Sequence, residues 1–209
     1  MELLIAVTIV IVVTGIASEL IAGSFNVRSR ENQRSEALAD VQRALNIMSR
    51  EIANSGFGLT DNGIVAADST TNAIRFRANL NAYSGQTTSN SVTDDDEDVI
   101  YKLVDDGTNK YIIRLDVNTN NQTTVLANRI DNFRIRYFAS KVDYTIGDCD
   151  ITLPTGVTES SKSNAKYLVI IICVTLQARG YPGQSGYQPA GTVQIVSDVA
   201  LRNNDLVRY

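Results

Sequence analysis

Residues 1–20 read MELLIAVTIVIVVTGIASEL. No charge falls between Leu3 and Ala17, while Glu2 heads the run and Glu19 closes it. Fifteen helical residues rise about 22 Å, short of the roughly 20 residues that a bilayer core requires. Continuing to Leu20, Ile21 and Ala22 reaches that length, with one charge enclosed. A signal peptide fits poorly, because no basic segment precedes the run and no A-x-A site follows it. A buried core helix also fits poorly, since no face of the run is polar. A carboxylate against hydrocarbon is costly without a partner. Glu2 therefore either rests in water at a membrane surface or has a task.

The helical signal continues past the apolar run. From Arg28 to Ile52 there is no Gly or Pro, and Leu38, Val41, Leu45, Met48 and Ile52 recur at steps of three and four. That spacing is one narrow apolar stripe on a helix, with Arg34, Glu36, Asp40, Arg43, Arg50 and Glu51 mostly off it. Gly56 and Gly58 stand where glycines end helices. One continuous helix of about 50 residues and some 75 Å is the simplest reading. The alternative is an anchor that breaks at Gly23-Ser24 before a separate short helix.

Beyond Gly58 the period becomes two. Ile74, Phe76 and Ala78 alternate with Arg75 and Arg77, and DVIYKLVDDGTNKYIIRLDV (98–117) reads as a hairpin turning at Asp106-Gly107. Phe133, Ile135 and Tyr137 alternate with Arg134 and Arg136. Leu168, Ile170, Ile172, Val174 and Leu176 form one apolar face, which predicts a central buried strand. A last strand runs through Val193, Ile195, Ser197, Val199 and Leu201. The pattern predicts one antiparallel sheet covered by the helical stripe, with loops over 81–97 and 143–165.

Composition narrows the chemistry. The 19 basic and 23 acidic residues argue against nucleic acid, which requires clustered Lys and Arg. The chain has no His, so Ser-His-Asp and Cys-His pairs and His-ligated metals are excluded. Asp94, Asp96 and Asp98 have DxDxD spacing and are weak Ca²⁺ candidates. An EF-hand loop needs Gly at its sixth position, where Val99 stands, so a solvated acidic loop is the expectation. Asn121-Gln122-Thr123 spells a glycosylation sequon and is assigned nothing. Cys149 and Cys173 are too far apart for a CxxC motif; they are two thiols in a reducing compartment and one disulfide in an oxidising one.

A greasy helix passing into an amphipathic one and then a sheet resembles the type IV pilins and the pseudopilins of type II secretion. Glu2-Leu3-Leu4-Ile5-Ala6-Val7 is similar to the opening of those chains, in which a glutamate lies within F-T-L-x-E-L-L a few residues after a processed glycine. The resemblance implies a leader ending in Gly, and about three further residues, upstream of Met1. A second stretch is narrower. Gln42-Arg43-Ala44-Leu45, Met48-Ser49-Arg50-Glu51-Ile52 and Ser55-Gly56-Phe57-Gly58 resemble the helix end of W-type minor pilins, and Val199-Ala200-Leu201-Arg202-Asn203 resembles their last strand. J-type pseudopilins share these features.

The resemblance implies an α+β fold: an N-terminal helix over 1–54, with about 1–24 in membrane or filament core, packed on an antiparallel β-rich head over 55–209. It implies a non-enzymatic minor pilin that takes part in pilus assembly, anchored by a single pass in a bacterial inner membrane with a periplasmic head, and on the cell surface once assembled. The alternatives are a J-type pseudopilin and a tip-exposed adhesin binding through the loops 81–97 or 143–165. Partners are other pilins, met through the helix; no cofactor, nucleic acid or small-molecule substrate is expected. In the family the glutamate pairs with the N-terminal amine of a neighbouring subunit, which assigns assembly to Glu2. An exported head also favours a Cys149–Cys173 disulfide, because Cys173 alternates with the apolar face of its strand and points to the less buried side.

Overall fold

The computed structural model describes residues 1–80, 92–119 and 122–202. Helix α1 runs unbroken from Glu2 to Ala53, so Gly23-Ser24 is not a break. At 1.5 Å per residue it is about 78 Å long. It ends where the sequence places glycine. The amide of Ser55 still reaches back to Ile52 O, but Gly56 turns to φ +80° and its amide bonds instead to Arg77 O at 2.9 Å. A residue with a Cβ is disfavoured in that left-handed conformation.

The chain forms two compact units. One comprises Met1–Leu38 with Thr175–Val193; the other comprises Ala39–Val174 with the residues from Gln194 onward. In the second unit, β1 (Ala73–Arg77), β2 (Asp98–Asp105), β3 (Lys110–Asp116) and β4 (Gln122–Asn128) make an antiparallel sheet in that order. A second sheet has the order β5 (Asn132–Phe138), β8 (Tyr167–Leu176), β9 (Gly191–Ala200), and β8 is central as its apolar face predicts. The expected single sheet is thus two. Arg129 adopts a left-handed φ of +59° between β4 and β5, and after it only the Ile130 amide still reaches the first sheet, at Lys110 O (2.9 Å), before β5 joins the second. The expected loop 143–165 also holds a short ladder, β6 (Thr145–Ile146) with β7 (Ile151–Thr152), and a 3₁₀ turn at Lys162–Asn164.

Register explains how β8 comes to be buried on both faces. Ile135 pairs with Ile170, Phe133 with Ile172 and Tyr137 with Leu168, so these six share one face. On the opposite face Tyr167, Val169, Ile171 and Cys173 form a cluster with Phe138 and Ile151, against which Val142, Tyr144, Cys149 and Leu153 pack. The side of β8 expected to be less buried is therefore as dry as the other; the segment 142–153 covers it.

The C-terminal third of α1 is built into this unit. Val41, Leu45, Met48 and Ile52 are buried and Leu38 is half-buried, as the stripe predicts; Ala44 joins them. The helix is tied to both sheets. Ser49 and Ser197 hydroxyls meet at 3.0 Å, and Glu51 accepts from Tyr101 Oη at 2.5 Å and from Arg114 Nε at 2.9 Å. Burial, together with the Glu51 carboxylate, pushes the Tyr101 phenol far above its ordinary value, so it stays a donor.

Candidate functional site

The chain concentrates its unusual surface in the first half of α1. From Met1 to Ala22 every residue is exposed, including Leu3, Leu4, Ile5, Val7, Ile9, Val10, Ile11, Val12, Val13 and Ile16. The helix is long and apolar enough to cross a membrane, and none of its apolar window is buried against the protein itself. Exposed apolar side chains on every face are compatible with a membrane-spanning segment.

The few polar groups in this stretch are handled as an apolar surrounding demands. Thr14 Oγ1 donates to Val10 O at 2.7 Å and Ser18 Oγ donates to Thr14 O at 2.8 Å; Thr8 Oγ1 donates to Leu4 O in the same way. Each hydroxyl returns to the carbonyl one turn back, so none of the three depends on water for an acceptor. The two carboxylates have no such resort. Glu2, in the first helical turn, is exposed, and so is Glu19. Glu2 thus presents its carboxylate outward at the head of an apolar cylinder.

The remaining sequence-predicted sites resolve differently. Asp94, Asp96 and Asp98 do not converge on a cation position, and among the described residues no cluster of three or more potential ligands is arranged to hold a metal ion. Asp98 is buried and receives Arg75 through Nε at 2.8 Å and Nη2 at 2.7 Å, with Arg77 Nε at 2.9 Å. Asp96 receives Arg114 Nη2 at 2.6 Å. Glu97, also buried, caps the amides of Leu80 at 2.7 Å and Asp94 at 3.1 Å. The expected solvated acidic loop is therefore corrected: its second half is a buried clasp between β1 and β2. Burial disfavours the Asp98 carboxylate, yet the Arg75 and Arg77 guanidiniums outweigh it and hold the carboxyl below its usual range. The same device recurs on β5, where Asp150 takes Arg134 at 2.7 Å and Arg136 at 2.6 Å.

Asp150 stands beside Cys149, which is bonded to Cys173 with a Cα–Cα distance of 5.7 Å. Cys149 adopts φ +53°, and its amide donates to Gln194 Oε1 at 3.1 Å. Disulfide and ion pairs together fasten the 142–153 segment over the Cys173 face of β8. Of the two loops considered for adhesion, residues 81–91 lie outside the described residues, as do Asn121 of the sequon and Asn203 of the closing motif.

One feature of the first unit has no precursor in the pattern reading. The β8–β9 connection, Gln177–Ala190, lies along α1. Arg30 Nη1 donates to Gln177 O at 2.6 Å, and a Cβ placed on Gly180 would come 2.9 Å from Asn26 Nδ2. A Cβ on Gly186 would come 2.3 Å from Gly23 Cα. The signal for it was the glycine spacing of GYPGQSGYQPAG (180–191), legible as a loop but silent about its partner.

No protein-family model matches this chain, and no curated protein matches its sequence.

Proposed function

We propose that the protein is a minor pilin, a structural subunit that takes part in assembling a type IV pilus, held before assembly in the inner membrane by α1 with its head in the periplasm. One observation carries the reading: a single unbroken helix, Glu2–Ala53, whose first half is exposed and apolar on every side while its last third buries one stripe in a β-rich unit. A soluble domain has no use for the first half, and a simple anchor has no need to continue as a core helix. A filament of bundled helices uses both. The Cys149–Cys173 bond supports an oxidising compartment for the head.

In this reading Glu2 receives the amine of the neighbouring subunit inside the apolar helix bundle. Removing one member of a buried ion pair costs about 3 to 5 kcal/mol, because the other charge is left unpaired. Glu2→Leu should therefore leave membrane insertion equal or improved and should lower the protein recovered in sheared filaments relative to membranes, measured on a full-length gene. An unchanged ratio would leave Glu2 an interfacial residue with no part in assembly. The same observations serve the J-type pseudopilin alternative. Finding the protein with the tip subunits of surface pili, or in a secretion complex that makes no surface pilus, separates the two.

A further inference from the structure

The loop between β8 and β9 descends along α1, and its contacts can be ordered by height. Gln177 O meets Arg30, Gly180 lies at Asn26, and Ser185 and Gly186 lie at Gly23. Seven helical residues, about 10 Å of rise, separate the first contact from the last. The outgoing and returning strands of the loop are joined by an isolated bridge, with Arg179 N to Gln188 O at 2.8 Å and Gln188 N to Arg179 O at 2.9 Å. The turn between them, Tyr181 to Gln184, closes with Gln184 N on Tyr181 O at 3.1 Å. The loop thus forms a finger pointing toward the helix N-terminus, with Tyr181 fixed between the Asn26 and Gly23 levels.

The finger is held close by glycine. Gly186 sits at φ +76° with Gly23 backbone against its missing Cβ, at 2.3 Å from Cα and 2.6 Å from O. Gly23 in turn is buried, the one buried residue between Met1 and Asp40. Any side chain at 186 would force the finger away.

The height at which it stops is informative. Glu19 excepted, no charge occurs from Leu3 to Val27, and the next charges are the cations Arg28 and Arg30. The tip therefore lies at the end of the apolar segment, level with exposed Phe25 (65%) and just before the two arginines. Here it presents Tyr181, which is 75% exposed. A tyrosine ring belongs at such a boundary, with its body toward hydrocarbon and its hydroxyl among headgroups.

We propose that the Gln177–Ala190 finger is a membrane-contacting stop, which lays Tyr181 in the phospholipid headgroup zone beside Phe25 and fixes how deeply α1 enters the bilayer. The occupant of this surface is lipid. The proposal rests on the membrane placement of α1, and its test keeps the two apart.

The chain contains no Trp, so a single introduced Trp is a clean probe. The full chain carrying Tyr181→Trp or, separately, Val12→Trp is reconstituted in phosphatidylcholine–phosphatidylglycerol vesicles whose acyl chains are brominated near the headgroups or near the bilayer centre. Trp at 181 should be quenched at least about twofold more by the shallow bromines than by the deep ones, and Trp at 12 the reverse. Adding Gly186→Val to Tyr181→Trp should abolish the shallow quenching. Adding it to Val12→Trp should change the ratio of deep to shallow quenching while leaving Trp at 12 quenched, because α1 stays in the bilayer but its depth is no longer fixed; an unchanged ratio overturns the stop. Deep quenching at 12 with an unquenched, water-quencher-accessible Trp at 181 overturns the stop and leaves the membrane placement standing. No quenching at 12 overturns both. Quenching at 181 that persists with Gly186→Val overturns the role given to the finger.

Discussion

The two ends of helix α1 solve opposite problems with similar residues. In Met1–Ala22 the apolar side chains face outward all round, and the hydroxyls of Thr8, Thr14 and Ser18 turn back to their own helix. In Val41–Ala53 the apolar side chains share one stripe, and the polar ones look elsewhere: Ser49 to Ser197, Glu51 to Tyr101 and Arg114. The hydrophobicity of each end, lowered in the second by Arg43, Arg50 and Glu51, does not by itself say where its apolar partner lies. Its angular distribution does, because a stripe implies a partner within the chain and a full cylinder implies a surrounding supplied from outside it.

If that division holds, the energetic consequences of equal truncations should differ sharply along one helix. Leu45, at 4% exposure, should cost about 2 to 5 kcal/mol on Leu45→Ala, the lost transfer energy plus a cavity. Val12, at 56% exposure, should cost the same unit less than about 0.5 kcal/mol on Val12→Ala. Denaturation of the full chain in detergent micelles, followed by near-ultraviolet circular dichroism of the tyrosines, measures both. Comparable losses at the two positions would end the comparison.

Both halves of α1 were legible, because helical periodicity is local: each buried residue announces itself within four positions of the next. β1, β2, β3, β5, β8 and β9 were legible for the same reason at period two. What escaped the pattern reading is non-local or short. β4, QTTVLAN, buries only Leu126 and Ala127, so it lacks an alternating signature. The split into two sheets falls near Arg129, a left-handed residue between β4 and β5 whose type does not advertise it. Arg75 and Arg77 alternate with apolar residues and so read as solvent-facing, yet their common partner Asp98 lies more than twenty positions later. The finger on Gly23 is farther still, since Gly186 lies more than 160 positions after its partner. Glu2 was legible as an anomaly from its neighbours alone, and within its own chain it stays an exposed carboxylate at the head of the apolar run.

The disulfide sharpens the comparison on the side of the head. Cys149–Cys173 closes a loop of sequence separation 24, and constraining that loop in the unfolded chain contributes about 3 kcal/mol. The double variant Cys149→Ala/Cys173→Ala should lose about that much in the denaturation measurement, with residues 142–153 gaining hydrogen exchange first, since they cover the Cys173 face of β8. Exchange across the Met1–Ala22 amides should not change. Two free thiols in unreduced protein, seen by mass spectrometry, would remove this anchor altogether.

The smallest effect concerns the charges that the head buries and the first half of α1 does not. Asp98 is held below the ordinary Asp value of about 3.9 because two guanidiniums outweigh the penalty of its burial, and Asp150 is lowered in the same sense by Arg136 and Arg134 against its own burial. A carboxyl whose folded value lies below its unfolded one stabilises the fold fully above the unfolded value, and that contribution fades as pH falls through the folded value. The head should therefore hold constant stability from neutral pH down to about pH 4 on this account and weaken below it. Asp98→Asn keeps the shape but removes the charge, leaving Arg75 with Asp68 alone and Arg77 without this partner. It should lose about 2 kcal/mol near neutral pH, the scale of a hydrogen-bonded charge, and progressively less as pH falls below the ordinary Asp value of about 3.9, because the parent loses the same contribution as its carboxyl takes up a proton. Denaturation midpoints of parent and variant across that range check it. Parallel curves would mean that Asp98 is clasped without stabilising, and that burying charge in the head gives it no energetic advantage over the first half of α1, which buries none.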